Sequence, residues 1–166
     1  GTNIPITLHN INVRGEFGYD FHSKTGMRLL GRLGYHYDAY LVPIDNKATL
    51  PAENFRGPSL GAALDIPQLT GAIRARASLD AVVLGTRSQT TNLEDGANPS
   101  TLGILLGMSG SYQWKPELLL TANYDLGYYS NTFGAPVATS KRMHGGTGGT
   151  RSDLFHTLSV GIKKTF

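Results

Sequence analysis

The chain has 166 residues with 15 Lys and Arg against 12 Asp and Glu, a formal net charge of +3; that length allows one ordinary domain or one piece of a larger one, and the excess of positive charge is too small and scattered to argue for nucleic acid. Charged residues make up 16%, hydrophobic residues 40%, and Gly occurs 21 times, a balance foreign to charged disordered tails and coiled coils and unfavourable to helix, because glycine costs entropy inside a helical turn. With Cys 0, disulfide frameworks, thiolate metal sites and cysteine nucleophiles are excluded.

Taken in chain order, the elements show alternation of period two. From Ile11 onward, Ile11, Val13, Gly15, Phe17, Tyr19 and Phe21 alternate with Asn12, Arg14, Glu16, Gly18, Asp20 and His22, as in a strand with one apolar and one polar face. A turn at Ser23 to Gly26 leads into Met27, Leu29, Gly31, Leu33, Tyr35, Tyr37 and Ala39, set against Arg28, Leu30, Arg32, Gly34, His36, Asp38 and Tyr40. The two runs predict a hairpin. A long polar loop is expected from Pro43 to Gly57, followed by a strand carrying Leu60, Ala62, Leu64 and Ile66. Pro67-Gln68 is read as a turn and Leu69 to Val83 as the next strand, with Arg74, Arg76, Ser78 and Asp80 on its polar side. After a second loop, Thr86 to Ser100, a strand runs from Leu102 to Trp114. Lys115-Pro116 turns the chain into Leu118, Leu120, Ala122, Tyr124, Leu126 and Tyr128, opposite Asn123 and Asp125. A third loop, Ser130 to Ser152, precedes the closing run Leu158, Val160, Ile162, Lys164 and Phe166.

The expected fold is therefore all-β: about seven antiparallel up-and-down strands in one domain spanning 1–166, with no helix. No stretch reads as a membrane helix, since the longest uncharged run, Gly96 to Trp114, is broken by Gly, Ser, Asn, Pro and Gln. Short turns on one rim and long loops on the other are instead the layout of a membrane-spanning β-barrel. Strand length agrees, because strands of soluble domains usually run about five or six residues while a tilted membrane strand needs roughly 9 to 11. Aromatic placement agrees as well. Tyr19, Phe21, Tyr112, Trp114 and Phe166 fall on the apolar face near the short turns, and Tyr35, Tyr37 and Tyr128 toward the opposite rim, two girdles flanking an aliphatic band.

The closing stretch, with Leu158, Val160 and Ile162 alternating before a terminal Phe166, resembles the last-strand signal of Gram-negative outer-membrane barrels. The turn-and-loop layout looks like the small OmpA/OmpX-type barrels. This resemblance implies a place in the bacterial outer membrane, contact with outer-membrane lipid and lipopolysaccharide, and recognition by the barrel-assembly machinery. It implies neither a cofactor nor a nucleic-acid partner. If the short turns face the periplasm, the first and last strands both descend, so seven strands do not bring both ends there. The expectation is a functional barrel of at least eight strands, the further one lying upstream or supplied by another chain, because an open edge leaves backbone polar groups in lipid.

The polar face is read as a lumenal network of Arg14, Glu16, Asp20, Arg28, Arg32, His36, Asp38, Arg74, Arg76, Asp80, Asn123 and Asp125, with Asp65, Glu117 and Lys163 nearby. Its signs nearly balance, and small residues on other strands leave room for long arginines, so a largely filled lumen is favoured over an open pore. Function then falls to the loops, as a structural or interaction component of the envelope; a porin-like diffusion channel is the alternative. The basic, Gly-rich segment Ser140 to Arg151 suits either a flexible loop or contact with lipopolysaccharide phosphates. Asn92 to Gly96 lacks the spacing of a calcium loop. A lipid-modifying or proteolytic barrel enzyme is a weaker reading still: His36 and Asp38 share the inner face but fit the lumenal network better, His156 and Ser159 are at odd separation in a strand, and His9, His22 and His144 are dispersed.

Overall fold

The structure, a computed structural model, describes residues 6–22, 26–42, 52–70, 72–90, 93–135, 138, 140 and 149–164, with the backbone alone for 21, 22 and 68–70. Seven strands follow in order: β1 (Thr7–His22), β2 (Met27–Leu41), β3 (Glu53–Thr70), β4 (Ile73–Gln89), β5 (Ser100–Lys115), β6 (Leu118–Phe133) and β7 (Gly149–Lys164). Each pairs antiparallel with the next in a single sheet ordered β1-β2-β3-β4-β5-β6-β7. No helix occurs among the described residues. β1 and β7 are its two edges and do not pair with each other, so the sheet is not closed.

Register keeps each face continuous. On one side a row runs through Leu33, Leu60, Ala81, Ile104, Tyr128 and Leu154; the adjacent row on the other side joins Glu16, Arg32, Gly61 and Asp80. A slip of one residue would exchange the two faces, which is why the alternating sequence specifies the pairing. Burial is inverted relative to a water-soluble domain: Leu33 is 60% and Val13 69% exposed, whereas Arg32 is 3% and His36 2%. The sheet curls around its polar face, bringing Glu16 of β1 to Arg76 of β4 and Glu53 of β3 to Arg151 of β7.

The strands are staggered. The row through Arg28, Asp65, Arg76 and Ser109 lies one residue from the start of β2, yet β3 continues to Thr70 and β5 to Lys115. Successive turns thus step along the ladder, as tilted barrel strands require. Tyr19 and Tyr112 each stand three residues before the end of their strand.

Several boundaries differ from the sequence expectation. Pro67-Gln68 is not a turn: β3 runs through it and the chain reverses between Thr70 and Ile73. Proline cannot donate to the ladder, and the register slips between Ile66 and Thr70, so the proline is absorbed as an irregularity. The turn after β5 falls at Pro116-Glu117, which removes Glu117 from the lumenal face. The three long loops are shorter than expected, because β3 starts at Glu53, β4 reaches Gln89, β6 reaches Phe133 and β7 starts at Gly149.

The β4 extension was hidden by a bulge. Between Val82 and Gly85 the strand has one residue more than β5 has between Gly103 and Thr101, and the same excess over β3 between Ser59 and Arg56. Leu84 takes φ 51 there, a left-handed conformation that costs a non-glycine residue about 1–2 kcal/mol. The bulge reverses the parity, so Arg87 joins the inward face while the period-two pattern ends at Val83. Beside it, a Cβ on Gly57 would lie 2.8 Å from the Gly85 Cα, a clash with backbone that no side-chain rotation relieves. Gly57→Ala is expected to lower stability by about 1 kcal/mol or more, read as a reduced midpoint of urea unfolding.

Residues 23–25, residues 43–51, Asn92, the 141–148 segment with His144, the side chains of Phe21 and His22, and Phe166 of the aromatic girdle and C-terminal signal lie outside the described residues.

Candidate functional site on the lumenal face

The inward side chains form successive levels from the short-turn end to the loop end. At the first, Arg28 Nε meets Asp20 Oδ1 at 2.7 Å on an exposed rim. Deeper, the buried Arg32 places Nη1 2.9 Å from Asp80 Oδ2 and Nε 3.4 Å from Glu16 Oε1. Arg76 spans Glu16 and Asp65, the latter at 3.4 Å. Two guanidinium groups and three carboxylates from four strands are thereby interleaved, the arrangement that lets charges leave water at tolerable cost. Beside them a cavity of about 330 Å³ is lined by Arg14, Asp125, Asn123, Gly107 and Ser109.

At the next level His36, Asp38 and Tyr129 close a triangle across the lumen. His36 Nε2 lies 2.7 Å from both Asp38 Oδ2 and the Tyr129 hydroxyl, which itself donates to Asp38; Asn10 Nδ2 donates to the other carboxylate oxygen. Because a carboxylate only accepts, Nε2 carries the imidazole proton. Above this triangle the rings of Phe55 and Tyr129 stack at 4.7 Å, as do Tyr40 and Phe155. Four strands contribute to this aromatic layer. Beneath it lies a cavity of about 360 Å³ bordered by His36, Asp38, Asp80 and Asp125.

The mouth holds the densest network. The Arg87 side chain, 0% exposed, contacts Glu53, Asp95 Oδ2 at 3.4 Å and Asp153 Oδ2 at 3.4 Å. Its guanidinium also lies 5.2 Å from the Phe55 centroid and 5.5 Å from that of Phe133, within cation–π range. Arg151 meets the same carboxylates: Glu53 at 3.0 Å, Asp95 at 2.8 Å and Asp153 at 2.7 Å. Asp95 belongs to the connection between β4 and β5, and that connection is fastened over the mouth. Gln89 Nε2 donates to Gly96 O at 3.0 Å, Ala97 N donates to Ala135 O at 2.9 Å while Gly134 N donates to Ala97 O at 2.8 Å, and Ser140 Oγ donates to Glu94 O at 2.6 Å. Among the described residues no group of three His, Asp or Glu side chains is placed to hold a metal ion.

Of the network expected from sequence, Glu16, Asp20, Arg28, Arg32, Arg76 and Asp80 are joined by ion pairs, and His36 and Asp38 by a hydrogen bond. Asn123 donates to Ser159 Oγ at 3.3 Å. Arg14, Arg74 and Asp125 line lumenal cavities and make no ion pair with a described residue. Missed were Glu53, Arg87, Asp95 and Arg151, within stretches read as loops, Asp153, just beyond the third of them, and Tyr129. Tyr129 shares parity with Asn123 and Asp125, and Arg151, Asp153 and Phe155 share parity in β7; those were the available signals. His156 and Ser159 pair with Leu126 of the apolar face and Asn123 of the polar face, so they do not converge.

Comparison of the chain with protein-family models, with curated proteins and with solved structures returns no match. The class it belongs to rests on its own architecture: an all-β, up-and-down antiparallel sheet with a charged inner face, curled into a partial barrel.

Proposed function

We propose that this chain is a non-enzymatic bacterial outer-membrane β-barrel of the small OmpA/OmpX-like type, with a polar, largely filled lumen, serving as a structural or interaction component of the cell envelope. The observation that carries this reading is the inverted burial. Burying Arg32 and His36 while Val13 and Leu33 face outward opposes the hydrophobic effect in water and follows it in a hydrocarbon solvent. Outer-membrane lipid and lipopolysaccharide are then the surroundings of the apolar face, the barrel-assembly machinery is the partner in folding, and the loops after β2, β4 and β6 meet other envelope components. The unpaired edges of β1 and β7 call for at least one further strand, from this polypeptide or another, since exposed backbone groups cost several kcal/mol each in lipid.

The lumenal cavities favour a second reading, a porin-like diffusion channel, in which added strands widen the bore past the aromatic layer. Two measurements decide. The purified protein should be folded and monodisperse only with detergent or lipid, and should give no steady current in planar bilayers. Folding in plain buffer would sink the membrane assignment; sustained ion-selective conductance would replace the filled-lumen reading by the channel.

A further inference from the structure

We propose that the short-turn end of the lumen is a binding site for a small, soluble phosphate-type oxyanion. The site stands on side-chain placement, and only the compartment supplying the ligand rests on the barrel reading above. A cavity of about 500 Å³ opens there, bordered among the described residues by Arg28, Arg74, Arg76 and Lys163 and by one carboxylate, Asp65. That volume lies within the roughly 300–1,000 Å³ of small-ligand sites.

The cations are not equivalent. Arg28 is held by Asp20 at 2.7 Å, and Arg76 by Glu16 and, at 3.4 Å, by Asp65. Arg74 and Lys163 make no ion pair with any described residue. They approach the cavity from separate walls, Arg74 on β4 in the row of Ser111 and Thr121, Lys163 on β7 opposite Leu119. The hydroxyls of Ser109 and Ser111 also border the space.

The loop end of the same lumen shows how this protein treats arginines that serve packing: Arg87 and Arg151 each contact Glu53, Asp95 and Asp153. At the short-turn end the one carboxylate that borders the cavity among the described residues, Asp65, is already engaged by Arg76, leaving a concave surface with an excess of positive charge. Such a surface concentrates anions. A guanidinium presents paired donors matched to phosphate oxygens, an ammonium supplies a second charge, and serine hydroxyls complete the donor set. A dianion fits this set better than a neutral or cationic solute.

Isothermal titration of the detergent-folded protein with inorganic pyrophosphate at low ionic strength tests the site. Wild type should bind saturably at one site, and the Arg74→Gln/Lys163→Gln double variant should bind about tenfold or more weakly. Arg56→Gln, which removes an exposed guanidinium from the opposite face of the sheet, should bind like wild type. Circular dichroism checks the sheet of each variant, and Lys163→Gln alone, altering only an exposed side chain on an edge strand, gives the same reading should the double variant misfold. Absence of saturable binding by wild type, undiminished binding by the Gln variants, or an equal loss in Arg56→Gln would overturn the proposal. None of these results bears on the barrel reading, which fails separately if the protein folds without detergent.

Discussion

Arg87→Leu is expected to destabilise the folded protein by about 3 kcal/mol, the lower end of the cost of removing one partner from a buried ion-pair network. The side chain is 0% exposed, and its contacts Glu53 and Asp153 are 8% and 9% exposed. Its removal takes one buried cation away from carboxylates that Arg151 also bridges, and it withdraws the cation from between Phe55 and Phe133. Arg151 keeps its contacts to Glu53, Asp95 and Asp153, which places the effect at the lower end of the range. Urea unfolding of the detergent-folded protein measures it. Glu53→Leu should cost less in the Arg87→Leu background than in wild type, because the two side chains are in contact and their effects are coupled. By comparison, Arg28→Gln breaks a pair whose side chains are 51% and 66% exposed and should change stability by less than about 1 kcal/mol. Equal effects of Arg87→Leu and Arg28→Gln would mean that the mouth network does not hold the barrel together.

The position of Arg87 also shows where sequence reading reached its limit. Alternation specifies a face only while the ladder has no extra residue, and through Ile11 to Phe17, Met27 to Tyr37 and Leu118 to Tyr128 it placed every residue on the face where the structure has it. At Val82 to Gly85 one inserted residue reverses the parity. The pattern then reads as a polar loop although the strand continues, and Arg87 is lost from the lumenal set. Glu53 and Phe55 were missed for a related reason: the register between β3 and β4 slips after Arg56, and Gly57-Pro58 resembles the end of a loop. Asp95 has no strand period to reveal it, because it enters the lumen from a connection and is fixed by Gln89 and the two arginines. The middle of the network, Glu16, Arg32, Arg76 and Asp80, was legible because those residues lie in uninterrupted parts of their strands. Parity identifies the face but not the partner, so which carboxylate meets which arginine emerged only from the curl of the sheet.

The second large effect is expected on the opposite face, where Leu79→Arg distinguishes a lipid from an aqueous surrounding. Leu79 is 55% exposed and stands between Ala62 and Leu106 in the ladder, midway along β4 and far from both rims. If water solvates this face, an exposed Leu-to-Arg change on a strand alters stability within about 0.5 kcal/mol. In a bilayer, the same guanidinium must either lose its hydration at the midplane or drag water inward, at about 2–4 kcal/mol. The penalty should fall with depth. Leu102→Arg, near the loop end of β5, should cost only about 0–1 kcal/mol, because its guanidinium reaches the interface. Urea titrations in phosphatidylcholine vesicles give both numbers from the same preparation. A steep difference between the two positions is the signature of a low-dielectric slab, since nothing in a uniformly hydrated surface distinguishes the middle of a strand from its end. Equal, small effects would require that Val13, Leu33, Leu79 and Leu158 face water or another protein surface, and the inverted burial would then need a protein partner covering the whole outer face.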